Sequence, residues 1–439
     1  MNPHYGAPPY YVPPPPGFAP GMPGQTRKSV LWIFCLGGLF LLLAPLSSRG
    51  DASGLAYFVK YTRLFVSGLI IVIGLAGTQP NRLSGVSAVY LSFIVFYFFG
   101  AAWSSAPVWG FFHKGQLLVT CGAGLMMAHC LHTIYELRRG LRILGLIAAT
   151  AGVWVFFQYL RNPGDSVVFD RLAVANMNAN SLGQGAACLL VFALHACLSE
   201  RRMIWRVIGL LSSVLLIWVV FSTGSRGAVL FAGVSFLCLI YPHIKKRFGV
   251  VILLAGFVFL GVNAVLLFGN DENQGNEFVV DDGSPRLGIA RLSNELTKNT
   301  REGIWRYAWN EYKTSPVIGV GWSNYRGRSR NFMNVYLQVI LETGVIGAFF
   351  FLVCLIRIGM HLLQTYHIPF DMVYAQCHFL AVGLVGALLV HGLAESSTLL
   401  GTTPNALLMG FALGLLDRLP YLNQNMQGFP APPPGPGGY

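Results

Sequence analysis

Arg226 stands among small residues in the run Ser222-Thr223-Gly224-Ser225-Arg226-Gly227. A small-residue turn at a helix start exposes backbone N–H groups, and a guanidinium added to them makes a place fit to hold a phosphate. An arginine that only snorkels to a membrane interface needs no such company. Upstream, Arg171, Asn178 and Asn180 lie just before another apolar stretch, where Asn180 reads either as an N-cap or as a sugar ligand. Asn334 opens a further apolar stretch holding Glu342, Gly344 and Gly347. The two glycines suit close helix contact, and Glu342, roughly 12 Å along the helix from Asn334, calls for a buried partner, expected to be an arginine. His391 and Glu395 are i, i+4 neighbours at the end of another apolar stretch. With Glu302 they are candidate general bases, a cap or a core pair being the other use of such groups.

The elements that must carry these residues follow from composition. The 439 residues are 54% hydrophobic and only 11% charged, with a mean hydropathy of +0.56, which excludes a soluble enzyme. Apolar residues come in blocks of about 20, the length that crosses roughly 30 Å of hydrocarbon. Twelve blocks run at about 29–46, 64–77, 84–103, 114–132, 141–160, 179–198, 204–222, 226–241, 249–268, 334–357, 373–393 and 402–418. The expected fold is an all-α polytopic membrane protein with about twelve transmembrane helices. The first block, starting at Ser29, reads as a retained span. All eight cysteines lie in apolar stretches and none forms a C-x-x-C pair, so neither a disulfide framework nor a zinc site is indicated.

Basic clusters set the orientation. With the N-terminus in the cytoplasm, Arg27/Lys28, Arg138/Arg139/Arg142, Arg201/Arg202/Arg206, Lys245/Lys246/Arg247 and Arg357 all fall inside, as the positive-inside rule requires. Much of the +13 formal charge then serves topology, and a nucleic-acid partner is not indicated. The chain divides into a Pro/Tyr-rich cytoplasmic tail at 1–28, spans 1–9 at 29–268, a long periplasmic loop at 269–332, spans 10–12 at 333–420 and a Pro/Gly-rich cytoplasmic tail at 421–439. Residues 1–26 hold nine of the 24 prolines, a composition that cannot bury a core and points to disorder with polyproline II character.

Within the long loop, 286–330 holds nine bases, Arg291 and Arg301 among them, against three acids. Basic excess on the outer side runs against the topological bias, so an anionic ligand at the membrane surface is the alternative to a merely solvated face. Asn299 and Glu302 can cap a helix running to about Lys313. Arg301, Trp305, Ala308 and Tyr312 would share one face of it, with Trp309 beside them, which suits a helix lying at the membrane surface.

Taken in order, these motifs resemble the bacterial O-antigen ligase/polymerase superfamily, integral-membrane glycosyltransferases of GT-C type. The features are the STGSRG turn, the N-x-N-x-L-G segment at 178–183, Arg301 to Trp305 followed by SPVIGVGWSNY, the run from Asn334 to Gly347, and HGLAESSTLL from His391. The resemblance implies glycan transfer from undecaprenyl diphosphate at the periplasmic face of the bacterial inner membrane, with no cofactor or metal. Arg226 and Arg301 take the places of the arginines that grip the diphosphate. Arg171, Asn180, Arg291 and Asn334 complete the expected substrate-binding set, and Glu395, His391 and Glu302 the catalytic one. Partners would be the lipid-linked donor and acceptor glycans, the lipid bilayer, a chain-length regulator and a flippase, and a cytoplasmic partner of the Pro-rich tails. Ligases of the superfamily carry a histidine before the Asn, as base; here Met333 stands there and cannot accept a proton. That favours a polymerase of repeat units for O-antigen, capsule or exopolysaccharide. A ligase acting on a lipid or protein acceptor, a transporter, and an envelope scaffold are the alternatives.

Overall fold

The computed structural model describes residues 27–44, 46, 54–77, 83, 85–163, 166–168, 171–174, 177–243, 302–322, 324–325, 328–329, 334–366, 372–395 and 402–427. Its elements are α1 (Lys28–Leu43), α2 (Gly54–Gly77), α3 (Gly85–Phe99), α4 (Pro107–His129), α5 (Ile134–Arg161), α6 (Ala179–Ser199), α7 (Met203–Ser222), α8 (Arg226–Ile240), α9 (Glu302–Tyr312), α10 (Val335–Tyr366), α11 (Met372–Ala394) and α12 (Pro404–Gln427). Two antiparallel pairs of two-residue strands join them: β1 (Val167–Val168) with β2 (Arg171–Leu172), and β3 (Asn324–Tyr325) with β4 (Arg328–Ser329). Eleven of the twelve apolar blocks are helices; the block at 249–268 lies outside the described residues, as do the tail at 1–26 and the end of the chain from 428. Seven described helices are long and apolar enough to cross a membrane, so the protein is an all-α polytopic membrane protein.

Three helices begin well before the apolar run does, α5 among them, at Ile134 rather than 141. α2 starts at Gly54 rather than near 64, and α4 at Pro107 rather than 114. Polar residues interrupt the runs, but the bundle accommodates them: Arg63 is buried with its guanidinium 4.6 Å from the centre of the Phe40 ring. α6 and α12 form the interior. Gly185–Ala196 and Pro404–Leu419 are buried without a break, as expected for helices apolar on every side. α12 lies tight against α4, where Gly410 faces the backbone of Cys121 and Gly124 faces that of Leu407. Outward faces carry Trp32, Phe58, Phe65, Phe157, Leu211 and Phe349, the apolar coat a bilayer requires.

Charges at the end where α1, α5 and α7 begin are paired. Arg27 Nε lies 2.8 Å from Glu136 Oε1, and Arg142 holds Glu200 through two bonds of 2.8 Å. Burial pushes the Glu200 carboxyl up, and the hydrogen bond and charge of Arg142 more than offset this, leaving it below the usual range. Asp417 accepts from the N–H groups of Val86 at 3.1 Å and Ser87 at 2.7 Å, capping α3. Of the basic residues expected on one side of the membrane, Arg27, Arg138, Arg142 and Arg206 lie at this end of the bundle, while Lys245, Lys246 and Arg247 lie outside the described residues.

Candidate functional site

At the opposite end α6, α8, α10 and α12 begin and α11 finishes. The α7–α8 connection is sharp because Gly224 adopts φ +59°, a left-handed backbone that glycine takes without steric cost. Ser225 is the N-cap of α8, its hydroxyl accepting from Ala228 N at 3.4 Å, and Arg226 is the first helical residue, half-buried. The turn is wedged between two other elements. Gly183 of α6 abuts Thr223 and Ser225 so closely that no side chain fits there. A Cβ placed on Gly227 would stand 3.1 Å from His391 Nε2 and 3.6 Å from Glu395 Cγ. The end of α11 is therefore laid directly on the residue after Arg226.

His391 is 1% exposed. Its Nδ1 lies 3.2 Å from Asn405 Nδ2 in the first turn of α12, and the Phe231 ring meets it edge to face at 6.2 Å. Asn405 Oδ1 in turn lies 3.4 Å from Cys188 Sγ of α6. Glu395 is half-buried and continues the helical bonding of α11 through its N–H to His391 O at 2.9 Å.

The remaining expected residues fall as follows. Asn178, not Asn180, caps α6: its Oδ1 accepts from Asn180 N at 2.9 Å, leaving Asn180 half-exposed in the first turn. Arg171 pairs with Val168 across the short β1–β2 ladder, beyond the end of α5. Asn334 uses both ends of its amide within the protein, accepting from Leu337 N at 3.0 Å and donating to Leu393 O at 3.2 Å. It caps α10 and ties it to α11, which is a positioning role. Glu302 begins α9, while Arg291, Arg301 and Met333 lie outside the described residues. On α9, Ala308 is buried against Leu341 of α10 and Trp309 is exposed and stacks with Tyr312 at 5.2 Å.

Two expectations for α10 are corrected. The partner of Glu342 is a lysine, not an arginine: Lys114 Nζ lies 3.2 Å from Glu342 Oε2 and sits over the Tyr97 ring at 3.9 Å. Tyr97 Oη donates to the same carboxylate at 2.6 Å and Gln338 Nε2 at 2.8 Å, so this intramembrane carboxylate is satisfied on every side. Gly344 does not serve helix packing; it breaks α10, with φ +63° and ψ −161°. The backbone groups freed by the break bond to the loop before it. Val320 N and Gly321 N donate to the carbonyls of Leu341 and Glu342 at 2.9 and 3.1 Å, and Val345 N donates to Pro316 O at 2.9 Å. That loop is held in turn on the α3–α4 connection, where Trp103 Nε1 donates to Ile318 O at 2.9 Å, and on the start of α4, where Trp322 stacks on His113 at 4.9 Å.

Lys114, Tyr97, Gln338 and Asn405 went unmarked in the sequence. A polar residue within or at the start of an apolar block was the available signal, and only the fold supplies its partner.

Residues 211–352 match a protein-family model described as O-antigen ligase. The match takes in the STGSRG turn, α8, α9 and the broken start of α10, and it supports placing the chain in the O-antigen ligase/polymerase superfamily. No curated protein matches the chain.

Proposed function

We propose that this chain, as a polymerase of the O-antigen ligase/polymerase superfamily, extends undecaprenyl-diphosphate-linked oligosaccharide repeat units at the periplasmic face of the bacterial inner membrane. One observation carries the reading. Three parts of the chain far apart in sequence, Gly183 on α6, Arg226 and Gly227 on α8, and His391 on α11 with Glu395 just past its end, meet at a single helix start.

In the reaction the acceptor hydroxyl oxygen attacks the anomeric carbon of the donor glycan. The bond from that carbon to the diphosphate oxygen breaks, and the diphosphate leaves with the electron pair. Arg226 and the first N–H groups of α8 match the growing negative charge, the contribution that matters most for a phosphate leaving group. Glu395, one residue contact from the same turn, takes the proton of the acceptor hydroxyl. Arg301 would add a second guanidinium from the segment before α9, by the resemblance of the motif that holds it. Met333, in place of the ligase histidine, favours the polymerase over the ligase.

The test is elongation by purified protein. Given a carrier-linked repeat unit alone, it should make a ladder of longer carrier-linked glycans. Deleting the gene should leave single repeat units on the carrier; long chains accumulating there instead would point to a ligase, and an unchanged carrier pool would refute both.

A further inference from the structure

α4 runs in the same direction as α12, since Cys121 meets Gly410 and Ala128 meets Gly414, so it begins at the end of the bundle that carries Arg226. α2 runs with α4 in turn, the Tyr61 ring lying 6.3 Å from Phe112 and Ile71 against Gly122. Near the start of this helix pair stands a basic cluster that glycan transfer does not use. Lys60 and His113 each lie six residues on from the first residue of their helix, at the same depth, and both are half-buried. They are close enough for their charges to interact. One turn further along α2 the buried Arg63 adds a second cation beside Lys60. Among the described residues no carboxylate is paired with Lys60 or His113. Gln116, one turn past Phe112 on the face turned to α2, is 2% exposed, and neither end of its amide is hydrogen-bonded.

A lysine that merely snorkels to the membrane interface needs no such neighbours. Two cations one turn apart repel each other, and an anion held beside them removes that cost. The rim of the cleft faces the bilayer. Tyr57, Phe58, Tyr61, Val108 and Trp109 are all exposed there, the Trp109 ring 6.1 Å from Phe112 and 6.5 Å from His113. α2 packs on α1 and α4 whereas α8 packs on α6 and α11, so the cleft lies apart from the Arg226 turn.

We propose that the cleft between α2 and α4, lined by Lys60, Tyr61, Trp109 and His113, docks the phosphate headgroup of an anionic phospholipid from the leaflet at this end of the bundle. The phosphate meets the Lys60 ammonium and the His113 ring, while Tyr61 and Trp109 lie at headgroup level, where amphipathic rings are at home. Tyr61, Phe65 and Gly68 continue as one stripe down α2, and Gly68 has open space where a side chain would stand, leaving room for an acyl chain. His113 also stacks on Trp322, so a lipid held here braces the loop packed into the break of α10. The site stands whether or not the chain transfers glycans.

The test uses the full chain, stripped of lipid in detergent and titrated with dioleoylphosphatidylglycerol, dioleoylphosphatidylcholine or inorganic phosphate, bound lipid being counted by native mass spectrometry. Phosphatidylglycerol should be retained about tenfold more tightly than phosphatidylcholine, the margin of a charge-assisted contact. Lys60→Gln should remove that margin, Lys60→Arg should keep it, and Lys28→Gln, at the other end of the bundle, should leave it unchanged. Equal retention of the two lipids by the wild type, or a margin that survives Lys60→Gln, would overturn the proposal. So would inorganic phosphate that protects against thermal unfolding as well as phosphatidylglycerol does, which would make this a site for a free anion. Should the Lys60 variants not fold, the wild type decides alone. A phosphatidylglycerol with a photoreactive group beside its headgroup should crosslink within 57–68 and 108–113, and crosslinks confined to other segments would refute the assignment.

Discussion

Arg226 is the residue on which the proposed chemistry depends most directly. It is the first residue of α8, half-buried, and its neighbour Gly227 touches His391 and Glu395. A charge-assisted contact to developing anionic charge is worth roughly 3 kcal/mol, so Arg226→Ala should slow glycan transfer about a hundredfold or more while leaving the yield of folded protein unchanged. Arg226→Lys should recover little, because an ammonium lacks the planar two-pronged fork. Near-normal turnover by the alanine variant would take the guanidinium out of the mechanism. Glu395 makes a separate prediction. If its carboxylate is the base, the rate should fall at low pH in the wild type as it is protonated, and Glu395→Gln should be slow with that acid limb gone. An acid limb that persists in the glutamine variant would move the base elsewhere. Arg226, Asn180, Asn334, His391 and Glu395 could all be picked from sequence because each is a polar residue at the edge of an apolar block. Asn405 and Lys114 stand near block edges too, but nothing in their local pattern set them apart, since their partners lie on other helices and show only once the bundle is packed.

Among the elements, α10 connects the most parts of the site. Its first half reaches α11 through Asn334 and through Tyr336, whose hydroxyl donates to Leu389 O at 2.9 Å. It reaches α3 and α4 through Glu342, and the loop after α9 through the backbone freed at Gly344. Removing one partner of a buried ion pair leaves an uncompensated charge, typically at a cost of about 3–5 kcal/mol, whereas replacing both is often close to neutral. Lys114→Met and Glu342→Gln should each lower the unfolding temperature of the purified protein markedly, and the double variant should regain most of the loss. Additive destabilisation in the double variant would show that the pair is not the unit that matters. Sequence spacing pointed to Gly344 and Gly347 as a helix-packing motif, and the glycines are indeed a place of close approach. What approaches Gly344 is the backbone of Val317 and Gly319, from a loop whose position no local pattern reveals. A glycine with φ +63° in mid-helix is a break whenever neighbouring backbone can satisfy the groups it frees.

At the scale of the whole molecule, the distribution of charge and the placement of the site are two sides of one orientation. Hydrophobic blocks told where helices run because each crossing needs about the same length of apolar chain, and eleven of the twelve blocks are helices. Their ends were less legible, since residues such as Arg63 and Lys114 interrupt a hydropathy window yet are held inside the bundle. Arg27, Arg138, Arg142 and Arg206 all sit at the end opposite Arg226 and Glu395, several of them bound to Glu136 or Glu200. Positive residues in short loops stay on the cytoplasmic side, so the paired end should face the cytoplasm and the site end the periplasm. Two exposed positions in short connections test this: Asn162, just past α5 at the site end, and Arg201, between α6 and α7 at the other. A reporter active only outside the cytoplasm should report when inserted at Asn162 or at Gly275 in the long hydrophilic segment, and stay silent at Arg201. Substrates carried on a lipid diphosphate reach Arg226 only from the leaflet into which that end opens. A silent reporter at Asn162 with an active one at Arg201 would therefore reverse the bundle and, with it, require the glycan to be extended on the cytoplasmic side of the membrane.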